Sequence, residues 1–297
     1  MLDLSEVVLV VNGMSRLGGE FYLQAKQLLE ENGYVLKDCA LSSSVQEMRS
    51  TVMRHRDQVS VIFVGGGDGT QGLVAGMLIG SETAQGVLPL GTGNSFARDL
   101  GIPTDLNAAI EALAIASPTH IDIGLANDRA FVNVATMGLT SLIVKNLTHS
   151  LKKRWGRAAY FLAIARGFES LKSFWVKLES DQGNFEMEAF QVVIGTGRYH
   201  AGPFPVLPDA SLFNQHLSLY ILPGASKVDL IKTALGLPSG RHTLFSDVHS
   251  ESIKSGKIIA VPSQSVIVDG EPIGRADLKF ECVAGGLKVL YAKDSED

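Results

Sequence analysis

Along the first third of the chain, short apolar runs alternate with stretches whose apolar residues recur every three or four positions. VVLVVN (7–12) is apolar up to its asparagine, the pattern of a buried strand. GEFYLQAKQLLEENG (19–33) has helical spacing and ends in Asn32-Gly33, a helix stop. YVLKDCAL (34–41) predicts a second strand, and Ser44-Val45-Gln46-Glu47 has the form of a capping box opening a helix to about Arg56. VSVIFV (59–64) and GVLPL (86–90) predict two further strands. QGLVAGMLIG (71–80), SFARDLG (95–101) and DLNAAIEALAIAS (105–117) predict helices. This alternation predicts a parallel sheet covered by helices, with ligands bound beyond the carboxyl ends of the strands.

After HIDIGLAN (120–127) the pattern changes. RAFVNVATMG, SFWVKLES, FEMEAFQVVIGTG, HLSLYILP, SGKIIAV, SQSVIVDG, ADLKFEC and GLKVLYA are rich in β-branched and aromatic residues and predict strands. Two helical stretches interrupt them, WGRAAYFLAIARGFESLK (155–172) and SKVDLIKTALGL (226–237). The expected fold is α/β: a parallel-sheet domain over 1–123 and a β-rich antiparallel domain over 124–285. A last strand, at about 286–297, is expected to return to the first domain. The sequence carries no internal repeat and no low-complexity segment.

Composition narrows the function classes. A chain of 297 residues, 45% hydrophobic and 19% charged, can bury a large core. Its net charge of −5 argues against a nucleic-acid binder, which would ordinarily be basic. Cys39 and Cys282 form no spaced pair, so neither a disulfide framework nor a zinc site is expected. MLDLSEVVLVVNG lacks the basic start and small-residue cleavage site of a signal peptide, and no run approaches the roughly 18 apolar residues of a membrane span. The expectation is a cytoplasmic protein.

The chemistry concentrates in GGGDGT (65–70), at the exit of the third strand. A tight turn needs fewer glycines than this. Gly67 to Gly72 fits G-x-G-x-x-G, but a dinucleotide site expects an acid roughly 20 residues on, and GVLPLGTGN has none. A phosphate cradle fits better: glycines let phosphate oxygens approach backbone amides at a helix start. No G-x-x-x-x-G-K-[ST] is present, so this is not a P-loop. Instead a second glycine turn, LPLGTGNSFARDLGIP (88–103), follows the next strand, and the two loops together suit a polyphosphate. Asp68 would position a metal or a hydrogen-bond network there, or serve as an Asx cap for its helix. Thr92 and Asn94 would donate to phosphate or ribose.

GGGDGT, LPLGTGNSFARDLGIP, HIDIG and VDGEP, in this order and spacing, resemble the bacterial diacylglycerol-kinase-like lipid kinases, the YegS-type proteins related to sphingosine kinases. The resemblance covers almost the whole chain. It implies a nucleotide-binding first domain, a lipid-binding second domain, ATP in the cleft between them, and transfer of the γ-phosphate to a lipid hydroxyl. Gly65, Gly66, Gly67, Asp68, Gly69 and Thr70 match the family's nucleotide loop; Thr92, Gly93 and Asn94 match its second loop. Asn12 matches the asparagine ending the first strand, and Leu41-Ser42 the place where the family often supplies a threonine. Asp122 matches an acid at the domain junction, and Glu271 the family's proposed general base. On residue type alone, an exposed hairpin carboxylate is the more ordinary reading of Glu271, and the resemblance is what turns it toward the general base.

Two departures matter. Ser95 stands where many members have aspartate, and Asn214-Gln215 stands where a structural Mg²⁺ site has Asp-Gly. That site, with Ser211, Asn214 and His216 as its remaining candidates, is expected to be weak or lost, because a hard dication favours anionic oxygens. The leading expectation is an ATP- and Mg²⁺-dependent lipid kinase, peripheral to the membrane, with a homodimer left open. A nucleotide-binding relative with weak or lost catalysis, and a kinase of a soluble substrate, stand as alternatives. Lys152, Lys153, Arg154 and Arg157 beside Trp155 suit either a headgroup-facing surface or an ordinary solvated face.

Overall fold

The structure, a computed structural model, describes residues 6–15, 18–141, 172–199, 207, 210–224 and 248–292. The basic run 152–157 lies outside the described residues, as do the helical stretches expected from 155 and from 226, apart from Lys172.

The chain begins with the expected alternation: β1 (Val7–Asn12), α1 (Gly18–Glu31), β2 (Leu36–Ser42), α2 (Val45–His55), β3 (Val61–Gly66), α3 (Asp68–Leu78), β4 (Ala84–Pro89), α4 (Ser95–Asp99) and α5 (Leu106–Ala114). β1 pairs in parallel with β2 and β3, and β3 with β4, giving the order β2-β1-β3-β4. Val7–Val11 and Val61–Val64 have no exposed surface. Covered on both faces, they carry the unbroken apolar runs typical of a parallel sheet. The capping box at α2 forms only in its first half. Ser44 Oγ accepts the Glu47 amide (3.2 Å), while the Glu47 carboxylate takes the amide and hydroxyl of Ser43.

The remaining elements are strands: β5 (Ser117–Ala126), β6 (Arg129–Phe131), β7 (Val134–Gly138), β8 (Phe174–Ser180), β9 (Gly183–Gly195), β10 (Leu217–Pro223), β11 (His249–Ile253), β12 (Ser255–Val261), β13 (Ser265–Val268), β14 (Glu271–Arg275) and β15 (Leu278–Tyr291). Among the described residues all strands join one sheet, with the main path β14-β13-β7-β9-β8-β12-β15-β4-β3-β1-β2. The pairings from β14 to β12 are antiparallel. The α/β expectation, parallel first and antiparallel after, describes this sheet.

Three details depart from the segment-by-segment reading. RAFVNVATMG is two strands, β6 and β7, because the amides of Val132 and Asn133 turn to a side chain, Asp269, instead of a ladder. ADLKFEC and GLKVLYA are one long strand, β15. Its register with β5 shifts between Val283 and Leu287, where Gly285 takes a positive φ of 58°. The irregularity is absorbed as a bulge rather than a chain break. β11 and β14 were not expected: among the described residues each pairs with one neighbour, and HSESI and EPIGR carry the polar, proline and glycine residues of edge strands.

β15 ties the halves together. Its start packs Leu278 and Phe280 into the antiparallel core, and its end places Leu287, Val289 and Leu290 in the core of the parallel sheet. Val289 pairs with Gln85 of β4 in parallel.

Candidate active site

The two glycine turns touch backbone to backbone at the carboxyl ends of β3 and β4. A Cβ on Gly67 would lie 3.3 Å from Gly91 Cα, and one on Gly91 would lie 2.7 Å from Gly67 Cα. Gly67 has φ −87°, which any residue adopts, so close approach rather than backbone freedom calls for glycine here. The loops are braced by side chains. Asn94, left-handed at φ 50°, accepts the Gly91 amide on Oδ1 (2.8 Å). Asn12 Nδ2 donates to Thr70 Oγ1 (2.9 Å), and Asn12 Oδ1 accepts the Met14 amide (3.0 Å). The Thr70 and Gln71 amides both donate to the Gly67 carbonyl (2.9 and 3.0 Å). At the start of α3 it is therefore the amides of Asp68 and Gly69 that have no acceptor within their own helix and are left for a ligand.

The other residues singled out from sequence fall around this seam unevenly. Ser42 is fully buried at the end of β2, and among the described residues neither its hydroxyl nor that of Ser15 has a partner. Leu41 is 39% exposed beside it. Thr92 is exposed and Gly93 is half-buried in the second loop.

Asp68 is the first residue of α3, and it does not cap its own helix. Gly67 occupies the cap position without a side-chain bond, and Asp68 Oδ1 accepts the Phe96 amide of α4 (3.0 Å). The carboxylate thus links the starts of two helices. Glu271, at the start of β14, is brought against the same helix. Its Cγ lies 3.6 Å and its Oε1 3.9 Å from where a Cβ on Gly69 would stand. It is the first residue of a strand rather than part of a turn; the turn is Asp269-Gly270, with φ 46° and 86°. Those paired positive values are what a two-residue Asp-Gly hairpin turn requires.

Two carboxylates that sequence reading passed over line the seam. Asp269 Oδ2 accepts the Val132 amide and Oδ1 those of Asn133 and Val134, each at 3.0 Å. Asp99, at the end of α4, accepts the amides of Arg198 (2.8 Å) and Tyr199 (3.4 Å) beyond β9. Burial pushes both groups up from 3.8 to about 7 against the pull of these amides, and Asp68 nearby adds to the rise. Their sequence signals, the Asp-Gly before Glu271 and the acid in SFARDLG, point equally well to turns and surfaces.

A pH dependence follows. Each group binds a proton more tightly folded than unfolded, so the stability it contributes to the ligand-free protein is fully present below the unfolded value. That contribution is lost as pH rises toward about 7. From pH 5 to pH 8 the loss is expected to reach at least about 1.4 kcal/mol, the free-energy equivalent of a tenfold change in proton affinity. Thermal melts across that range should decline less steeply in Asp99→Asn. A parent midpoint that rises with pH would contradict the assignment.

The structural metal expected of the fold does not suit the residues present. The Asp122 carboxylate is occupied by backbone amides, those of Gln215 (2.5 Å) and Gly285 (2.8 Å). His216 Nδ1 lies 2.6 Å from the Asn214 carbonyl oxygen, and Ser211 Oγ accepts the Phe213 amide (3.3 Å). The 211–216 loop offers no carboxylate, and among the described residues no group of three His, Cys, Asp or Glu gathers around a common point. Gln215 holds a left-handed φ of 59°, where glycine would sit without strain. Asn214→Asp should raise affinity for Mg²⁺ in the absence of nucleotide, by adding an anionic oxygen. Calorimetry showing tight nucleotide-free Mg²⁺ binding by the parent protein would contradict this account.

Comparison with known proteins agrees with this architecture. Residues 6–126 match the diacylglycerol kinase catalytic domain, and residues 133–291 match the YegS C-terminal NAD kinase beta sandwich-like domain. A probable lipid kinase YegS-like protein of Klebsiella pneumoniae is 30% identical over 239 residues, 80% of this chain and 79% of that protein. A diacylglycerol kinase of Staphylococcus saprophyticus is 31% identical over 239 residues, 79% of this chain and 77% of that one. In fold, the chain is similar to a putative diacylglycerol kinase from Bacillus anthracis. The TM-score is 0.80 at 22% identity, over 96% of this chain and 95% of that one. With both halves matched and the seam between them lined by the expected loops, the chain belongs to the diacylglycerol-kinase-like lipid kinases and is a phosphotransferase.

Proposed function

We propose that the protein transfers the γ-phosphate of ATP to the hydroxyl of a membrane lipid, with Glu271 as the general base. The observation that carries this reading is the placement of Glu271 over Gly69, at the first turn of the helix that begins with Asp68. The amides of that turn, with Thr70 and the 91–94 loop, would hold the triphosphate. A Mg²⁺ carried by the nucleotide would neutralise phosphate charge, and Asp68 is the carboxylate suited to meet it. In the transfer, the lipid oxygen forms a bond to the γ-phosphorus as the bond to the β–γ bridging oxygen breaks. The hydroxyl proton passes to the Glu271 carboxylate, and ADP leaves.

Diacylglycerol is the first acceptor to test, because the Staphylococcus saprophyticus relative bears the name diacylglycerol kinase. Phosphatidylglycerol is the next. A lipid acceptor places the enzyme at a membrane surface; among the described residues no helix is long and apolar enough to cross one. A second reading, nucleotide binding with little catalysis, draws on Ser95. That residue is 2% exposed and brings no carboxylate to the start of α4. Phosphate transfer from γ-labelled ATP to a lipid panel in mixed micelles separates the two. Label in a lipid supports the kinase, whereas ATP binding without transfer to any lipid supports the second reading.

A further inference from the structure

Glu271 has a positioning problem. It is exposed, and it begins β14, an edge strand that pairs, among the described residues, with β13 alone. Pro272, its neighbour, has no amide to give to a ladder. A two-stranded ribbon at a sheet edge is marginally stable by itself, yet a general base must stand within hydrogen-bond reach of its proton.

The constraint comes from the residue two positions earlier. The Asp269 amide donates to the Val134 carbonyl (2.9 Å), and its carboxylate gathers the three amides of 132–134. These four bonds fasten the turn to the stretch between β6 and β7. From the other side the turn rests on α3. A Cβ on Gly72 would collide with Asp269 Oδ2, one on Gly69 would fall 3.7 Å from the Asp269 carbonyl oxygen, and one on Gly76 would meet Ala130 of β6 at 2.9 Å. Gly69, Gly72 and Gly76 recur at helical spacing, so one bare face of α3 receives the turn and β6. The Asp269 side chain is therefore trapped between the amides of one segment and the helix that begins with Asp68.

We propose that Asp269 is a positioning residue for Glu271: by clamping the 132–134 amides against the Gly72 face of α3, it fixes the Asp269-Gly270 turn and so the place of the Glu271 carboxylate over Gly69. The inference rests on the reading of Glu271 as general base. Asparagine cannot replace the aspartate. Its single oxygen can serve the amides of Asn133 and Val134, but its NH₂ would then face the Val132 amide, donor against donor.

The test is a double-mutant cycle on single-turnover transfer from γ-labelled ATP. The acceptor is a total bacterial lipid extract supplemented with dioleoylglycerol in mixed micelles, with ATP affinity measured in parallel. Glu271→Gln is expected to be slow, and Asp269→Asn to lower the transfer rate about 10–100-fold with ATP affinity unchanged. The double variant should be no slower than Glu271→Gln alone, because a residue acting only through Glu271 has nothing left to position. Gly72→Ala pushes the carboxylate from the helix side and leaves its chemistry intact. It should reproduce the loss in the parent background and not in Glu271→Gln, which keeps the test open if Asp269→Asn does not fold. Parent-like transfer by both Asp269→Asn and Gly72→Ala, or losses that multiply in the double variant, would overturn the positioning role while leaving Glu271 as base. Parent-like transfer by Glu271→Gln, or a parent inactive on this mixture, would remove the base assignment and the inference with it.

Discussion

Glu271→Gln is expected to slow phosphate transfer by about 10²–10⁴-fold, the usual worth of a positioned general base, with ATP affinity and melting temperature at parent values. Glutamine keeps the length and planarity of the side chain and loses only its ability to take a proton. The fold has little reason to respond, since the Glu271 side chain is exposed and makes no hydrogen bond or ion pair among the described residues. Its strand register, Val268 opposite Glu271, runs through the backbone. ATP affinity has little reason to respond either, because the loops proposed to hold the triphosphate lie on α3 and the 91–94 turn. Asp68→Asn should behave differently. Asp68 Oδ1 accepts the Phe96 amide, so its loss disturbs the joint between α3 and α4 as well as any metal carried by the nucleotide. ATP affinity and turnover should fall together there. Single-turnover transfer with ATP binding in parallel separates the two patterns. Transfer by Glu271→Gln at the parent's rate to a good lipid substrate would end the role assigned to it.

The contrast between these carboxylates shows what was legible in the chain. The parallel half could be read because local signals agree with tertiary environment. β1 and β3 are uninterrupted valine-rich runs, and they are buried on both sides. The cap at α2 forms from Ser44, and the cap at α5 from Asp105, whose Oδ1 takes the Ala108 amide (3.1 Å). The glycine loops were legible as something needing bare backbone. What could not be read is that each glycine makes room for a different neighbour. Gly66 makes room for Thr70, Gly67 for Gly91, and Gly72 for the Asp269 carboxylate.

The misses share a cause. β11 and β14 carry no alternating apolar pattern, because an edge strand with one neighbour and an open face gains little from one. The split of RAFVNVATMG depends on a side chain more than a hundred positions along the chain. The roles of Asp99 and Asp269 depend on backbone amides, which have no signature in residue type. Partners of this kind become visible only when the chain is folded. For the same reason, the cap on its own helix that stood as one alternative for Asp68 does not form, and the side chain accepts an amide of the next helix instead.

Gly67→Val is expected to abolish the stabilisation of the protein by ATP. The obstacle is the neighbouring loop. Gly67 Cα sits against Gly91, and a Cβ there would already be 3.3 Å from Gly91 Cα, before the two methyls of valine are added. Both faces of this contact are backbone, so no side chain can swing aside, and the 67–70 and 91–94 loops must part. Overpacking of this kind costs about 1–3 kcal/mol. The seam lies at the strand ends rather than in the buried runs of β1 and β3, so the variant should still fold with a lowered melting temperature. A triphosphate held between the two loops would lose its fit to both. A ligand at 100 times its dissociation constant stabilises by about 2.7 kcal/mol, and that increment should disappear. Gly67→Ala should retain part of it, since a single methyl at 3.3 Å asks Gly91 to yield by only a few tenths of an ångström. Gly19→Val is the control, because no described residue lies within 4 Å of a Cβ there. It should leave stability unchanged or raise it slightly, because valine is a better helix former than glycine, and leave the response to ATP intact. The measurement is the melting temperature of each variant with and without saturating Mg-ATP. A folded Gly67→Val that ATP stabilises as it does the parent would place the nucleotide somewhere other than between these loops.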